Sequence, residues 1–170
     1  MKRSDASGSR PVLEVSGARL RAGEDAAAFA LDVPALQLAR GETLAVTGPS
    51  GCGKSTLLEF LALLTRPAAI SRFLLNCGAE RRSDHTAALA AGRLDALTPL
   101  RAGPLGYVPQ SGGVLPFLPA REHAGAGLRL AGLARDSAAL ARFGRMTEAL
   151  GLEPHMGKTR EQLSGGQRQR

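Results

Sequence analysis

A chain of 170 residues with 44% hydrophobic and 22% charged residues is large enough for a real core and ordinary for a globular protein, which excludes a disordered or fibrous chain. Two cysteines, Cys52 and Cys77, are too few for a disulfide framework or a cysteine metal site and suit a reducing compartment. The net charge of +7 admits a nucleic-acid or anionic-membrane partner. The arginines are scattered, however, and no aromatics alternate with them to stack on bases, so an arginine-rich composition is the favoured account and no nucleic acid is expected.

In chain order, "MKRSDASGSR" lacks an apolar h-region and reads as a frayed N-terminus, not a signal peptide. "VLEVSGARL" and "FALDVPALQL" alternate apolar and polar residues, as half-buried strands do, around a mobile "RAGEDAA". Gly41 and Glu42 turn the chain, and Thr43 to Thr47 read as a buried strand. The apolar run Leu57 to Leu64 predicts a helix ended by Thr65-Arg66-Pro67. It is too short for the ~20 residues that span a bilayer, and no other stretch comes nearer. Ile70 to Asn76 suit another strand. "SDHTAALAAGRLDALTPLRAG" reads as partly helical, and "LGYVPQ" as a strand ending at Pro109 and Gln110. Beyond Ser111 the periodicity is helical, with a break near Gly132.

Between strand and helix lies "GPSGCGKS", Gly48 to Ser55, which fits G-x-x-x-x-G-K-[ST]. Phosphates need many donors at close range, and glycines let backbone N–H groups converge without Cβ atoms in the way. The cradle is Gly48, Pro49, Ser50, Gly51, Cys52, Gly53, Lys54, Ser55 and Thr56. Lys54, one of only three lysines, supplies a cation for the β- and γ-phosphates. Ser55 offers a hydroxyl to Mg²⁺, Thr56 can serve the α-phosphate, and a helix opening at Gly53 aims its positive end at the anion. The competing reading is a glycine-rich turn with a chance lysine. Cys52 fills a free position of the loop. By itself the loop says nucleoside-triphosphatase or kinase and does not choose between them.

Two further motifs narrow this. Gln110 closes "LGYVPQ", and "LSGGQ" runs from Leu163 to Gln167. With the P-loop, in this order, they make the stretch from about Val12 to Arg170 resemble the nucleotide-binding domain of ATP-binding cassette (ABC) transporters. The resemblance implies an α/β fold. It has a P-loop NTPase core of the ABC ATPase type, an inserted mostly helical subdomain, and the C-terminal part of the core missing. The implied layout is a disordered terminus over 1–11, a RecA-like core with a β-subdomain over 12–110, a helical subdomain over 111–163, and the start of a signature helix over 164–170.

The same resemblance implies roles. Lys54 and Gln110 are catalytic, with Gln110 also binding Mg²⁺ beside Ser55. Leu163, Ser164, Gly165, Gly166 and Gln167 face the ATP of a second nucleotide-binding domain, so a homodimer is expected. The loop after Gln110 meets a transmembrane permease subunit, which places the protein in the cytoplasm, peripheral on the inner face of the cell membrane. The Walker B Asp-Glu and the switch histidine of the family have no counterpart here, since His85, His123 and His155 all precede the signature and read as surface or helix residues. ATP binding is therefore expected to be weak or absent, and turnover by these 170 residues negligible. The aromatic residue that stacks on adenine is also wanting near Leu20 and Arg21. Arg21 could stack in its place, and Phe29 reads as a core residue of its strand. Rival readings are a binding-only regulator or remnant, and an ABC protein without a membrane partner. "GYVPQSGGVLPF" leans toward an exporter of the lipoprotein or peptide type without selecting a substrate.

Overall fold

The structure is a computed structural model and describes residues 11–22, 29–76, 82–110 and 113–170. The terminus over 1–10, most of "RAGEDAA", and Cys77 lie outside the described residues. The chain divides into two compact units at Thr98 and Pro99.

The first unit is built on a four-stranded antiparallel sheet of order β2-β1-β3-β4, with β1 Leu13–Ala22, β2 Phe29–Leu38, β3 Arg72–Asn76 and β4 Arg82–Asp84. β2 falls where the alternation put it, and Leu13 pairs with Leu38 at one end of the β1–β2 ladder while Ala22 pairs with Phe29 at the other. Along β1 the buried positions step from Leu13 and Val15 to Ala18 and Leu20, a shift of one in the two-residue period. Gly17 makes the shift. Its φ of +57° is one that L side chains avoid, and a Cβ there would collide with the Ser71 side chain. Opposite it stands Pro34, which has no N–H to contribute, and the two drop out of the ladder together.

The core of this unit is Val15, Leu20, Phe60, Leu63, Phe73, Leu89 and Leu97. Phe60 and Phe73 meet edge to face with centroids 5.7 Å apart. Phe60 comes from α1, Lys54–Leu61, which opens at Gly53 as expected and ends three residues before the apolar run does. Its end is a Schellman motif: Leu64 N–H donates to the Glu59 carbonyl and Leu63 N–H to that of Phe60, both at 2.9 Å. Leu63 holds the left-handed position (φ +60°) that glycine usually fills, and its side chain is fully buried. After β4 come α2, Thr86–Ala90, a 3₁₀ turn Leu94–Leu97, and α3, Thr98–Ala102, so the Ala/Leu-rich stretch is partly helical as expected, with its first residues in β4.

Two expected strands are corrected. Thr43 to Thr47 and Leu105 to Pro109 form no strand, and most of their side chains are exposed, Val108 to 76%. A strand exists only when a neighbour accepts and donates its ladder hydrogen bonds, and no described segment pairs with either run.

The second unit is helical. α4 spans Ala120–Leu130 and α5 Ser137–Ala149, with the break at Gly132 (φ +73°). Asp136 caps α5, accepting from Ala139 N–H at 2.7 Å. α4 starts after Pro119, and its first amides, Ala120 and Arg121, donate to the carbonyls of Lys158 and Met156, both at 2.9 Å. Met156 and Leu163 are buried in this unit. Two 3₁₀ turns, Glu153–His155 and Arg160–Gln162, lead into α6, Gly165–Gln169. Among the described residues, no helix is long and apolar enough to cross a membrane.

Candidate functional site: a phosphate-binding loop and a capped glycine turn

The loop Gly48 to Gly53 owes its path to three glycines at positive φ: Gly48 at +153°, Gly51 at +79° and Gly53 at +91°. Gly53 is the N-cap of α1 and offers no side chain to its amides. The first intrahelical bond runs from Leu57 N–H to the Gly53 carbonyl (2.9 Å), so the amides of Lys54, Ser55 and Thr56 precede the ladder. No acidic residue lies in the first turn, which leaves the positive end of the helix uncompensated. Lys54 folds back over the loop, its Nζ donating to the carbonyls of Pro49 (2.7 Å) and Gly48 (3.0 Å), with Cys52 Sγ 3.8 Å away. The ammonium is thus held on the loop, and the hydroxyl-bearing Ser55 side is exposed. Convergent amides, a helix start and one cation make a donor set suited to an oligophosphate.

Phe29 is not a core residue. It is 40% exposed at the start of β2, and its ring bears on the loop. A Cβ on Gly53 would lie 2.7 Å from Phe29 Cε1 and 3.3 Å from Leu31 Cδ2. Glycine at this place therefore serves two needs, the backbone angle and the close approach of the ring. Arg21 is exposed on β1, opposite Ala30.

Gln110 belongs to the second unit, exposed in a turn after the unpaired run Leu105 to Pro109. The "LSGGQ" segment is in the same unit. Leu163 is buried as its anchor, and Ser164 is the N-cap of α6. Ser164 Oγ accepts from Gln167 N–H (3.3 Å), and Gln167 Oε1 accepts from Ser164 N–H (2.9 Å), a reciprocal capping box. Gly165 and Gly166 are exposed, with open space where a Cβ would be. The stretch is a helix start, as expected. Sequence reasoning missed its neighbour His155, read there as a surface or helix residue: its Nε2 lies 2.9 Å from Gln167 Nε2. Beside the signature, a cleft of about 510 Å³ is lined by Tyr107, Val108, His123, Met156, Leu163 and Gln167 among others.

Charged contacts elsewhere are local. Arg19 and Asp32 form an exposed cross-strand ion pair, with Arg19 Nε 2.6 Å from Asp32 Oδ1, which raises the guanidinium and lowers the carboxyl. Asp84 accepts from Thr86 N–H (2.9 Å) and is held below the usual carboxylate range mainly by Thr86. Burial lowers His85 from the ordinary imidazole value. No group of His, Cys, Asp and Glu that could hold a metal ion occurs among the described residues. Cys52 is a free thiol.

Known proteins resemble this chain in sequence and fold. The family model for the ABC transporter matches residues 31–170. The macrolide export ATP-binding/permease protein MacB 1 of Aeromonas hydrophila is 38% identical over 161 residues, covering 94% of this chain and 23% of that protein. The taurine import ATP-binding protein TauB of Pseudomonas aeruginosa is 36% identical over 140 residues, 79% of this chain and 44% of that protein. The lipoprotein-releasing system ATP-binding protein LolD 1 of Rhodospirillum rubrum is 37% identical over 132 residues, 76% of this chain and 53% of that one. The chain thus spans about a quarter to a half of the length of these relatives. Among solved structures, the dimeric post-hydrolysis state of the ATP-binding cassette MJ0796 bound to ADP and Pi superimposes with a TM-score of 0.69 at 25% identity, over 92% of this chain and 65% of that one. With a matching family model, relatives over most of its length and the P-loop cassette fold, this chain belongs to the ABC transporter family.

Proposed function

We propose that these residues form the ATP-binding part of an ABC transporter ATPase, working as one of two nucleotide-binding domains on a membrane permease. The observation that carries the reading is the glycine loop opening on α1, with Lys54 poised over it. Gly48 to Thr56 would hold the phosphates of ATP through backbone amides, Lys54 would meet the β- and γ-phosphates, and Ser55 would supply one ligand to Mg²⁺. Bound there, Mg²⁺ would compensate charge between the β- and γ-phosphates. Ser55 is a single hydroxyl, so oxygens of the nucleotide and the water that Mg²⁺ retains would supply most of the shell.

Ser164, Gly165 and Gly166 would serve the ATP of the second domain, the hydroxyl and the helix-start amides facing its γ-phosphate. Such a division makes nucleotide the glue of a dimer, and the exposed turn at Gln110 the place where the permease senses it. On this reading the unit works in the cytoplasm, against the inner face of the membrane. These 170 residues contain the cradle and the signature turn, and what they are proposed to supply is nucleotide binding. The relatives include importers and exporters, so the transported solute stays with the permease.

Titration of the chain with a fluorescent ATP analogue, displaced by ATP and by tripolyphosphate, tests the cradle. Weak binding of both, lost in Lys54→Ala, is the expected result. Failure of tripolyphosphate to compete, or ATP hydrolysis faster than about 1 per second, would overturn the reading.

A further inference from the structure

Gln167 spends both ends of its side-chain amide. Its Oε1 accepts from Ser164 N–H (2.9 Å), and its Nε2 stands 2.9 Å from His155 Nε2. An amide has one accepting and one donating end. With the oxygen turned to Ser164, the NH₂ must donate to His155, so His155 Nε2 has to be the unprotonated ring nitrogen and the ring proton sits on Nδ1. That Nδ1 is buried without a partner. The imidazole is fixed from its backbone, His155 N–H donating to the Leu152 carbonyl (2.8 Å) and its carbonyl accepting from Lys158 N–H (2.9 Å).

We infer that His155 is a positioning residue for the signature motif: by accepting at Nε2 it holds the Gln167 amide in the one orientation that caps Ser164. If the ring carried its proton on Nε2, two donors would oppose each other. The amide would then flip and turn its NH₂ toward Ser164 N–H, again donor against donor, and one arm of the capping box would be lost. The tautomer of His155 and the closure of the glycine turn are therefore one equilibrium. The purpose of that closure, presenting Ser164 and the Gly165 and Gly166 amides to an oligophosphate, rests on the function proposed above. The contact itself does not.

The test uses the full isotope-labelled 170-residue chain without nucleotide, so a failure of ATP binding leaves it intact. The nitrogen resonances of His155 should report the Nδ1–H tautomer with Nε2 unprotonated. His155→Met keeps side-chain length without an acceptor of comparable strength, and His155→Lys presents only donors. Exchange of Ser164 N–H should rise about fivefold or more in both, most in the lysine variant, and return close to the original rate in His155→Gln, whose Oε1 can take the place of Nε2. Ala139 N–H, on the independent Asp136 cap, should not change and reports that the unit is folded. An Nε2–H tautomer in the unaltered chain, or Ser164 protection in His155→Met equal to that in His155→Gln, would overturn the inference.

Discussion

Gly53→Ala isolates the two demands that the loop places on one residue. The new Cβ meets an unfavourable φ of +91°, which costs about 1–2 kcal/mol for an L residue. It also lies 2.7 Å from Phe29 Cε1 and 3.0 Å from Cζ, so the ring must move, an overpacking cost of about 1–3 kcal/mol. The sum, about 2–5 kcal/mol, is a large part of the stability of a small domain. Phe29→Ala removes the obstructing ring. Since Phe29 is 40% exposed already, its truncation alone should cost about 1–2 kcal/mol. In the double variant the steric part of the Gly53→Ala cost vanishes and the backbone part stays. Urea unfolding of the four proteins, followed by far-UV circular dichroism, should show the double variant less destabilised than the sum of the singles by about 1–3 kcal/mol. Additivity to within about 0.5 kcal/mol would refute the contact between ring and loop, and with it the account of why glycine stands at position 53.

Other outcomes follow from single contacts. Lys54→Ala removes both donations to the loop carbonyls, and ATP affinity by displacement titration should fall about tenfold or more. Asp136→Ala deletes the α5 cap and should cost about 1 kcal/mol in thermal unfolding. Burial depresses His85, so the unfolded chain takes up that proton first as pH falls. The stability that a neutral His85 contributes is present above about pH 6.5 and is lost as pH drops toward the folded value. His85→Gln should therefore flatten the fall in unfolding midpoint between about pH 7.5 and about pH 5.5.

What could be read from sequence was whatever consecutive residues settle among themselves. The loop from Gly48 to Thr56 closes on its own carbonyls and amides, so its pattern and its geometry coincide. The spacing of Ser164 and Gln167 is that of a capping box, and a helix start follows. β2 alternates from Leu31 to Val33 and again from Leu36 to Leu38, with a step of one residue at Pro34 and Ala35. The failures are those that need a distant partner. Thr43 to Thr47 have strand composition but no ladder, since pairing is a property of two segments. Gly17 shifts β1 by one residue only because Pro34 and Ser71 meet it there. His155 stands twelve residues before Gln167, and a lone histidine in a polar stretch carries no sign of the amide it will hold.

The donations from Ala120 and Arg121 to Lys158 and Met156 have a consequence for how the helical unit can vary. They staple the root of α4 to the strip of chain just before the glycine turn, so everything between, α4 onward through α5, is a closed excursion that leaves and re-enters at one place. Lengthening or shortening it changes the closure entropy only with the logarithm of its length, about 0.6 kcal/mol for a doubling. The excursion can thus be recut in the Gly132 bend while Leu163 and Ser164 stay where the staple sets them, and the outline of this unit can be remodelled without disturbing the turn at its base.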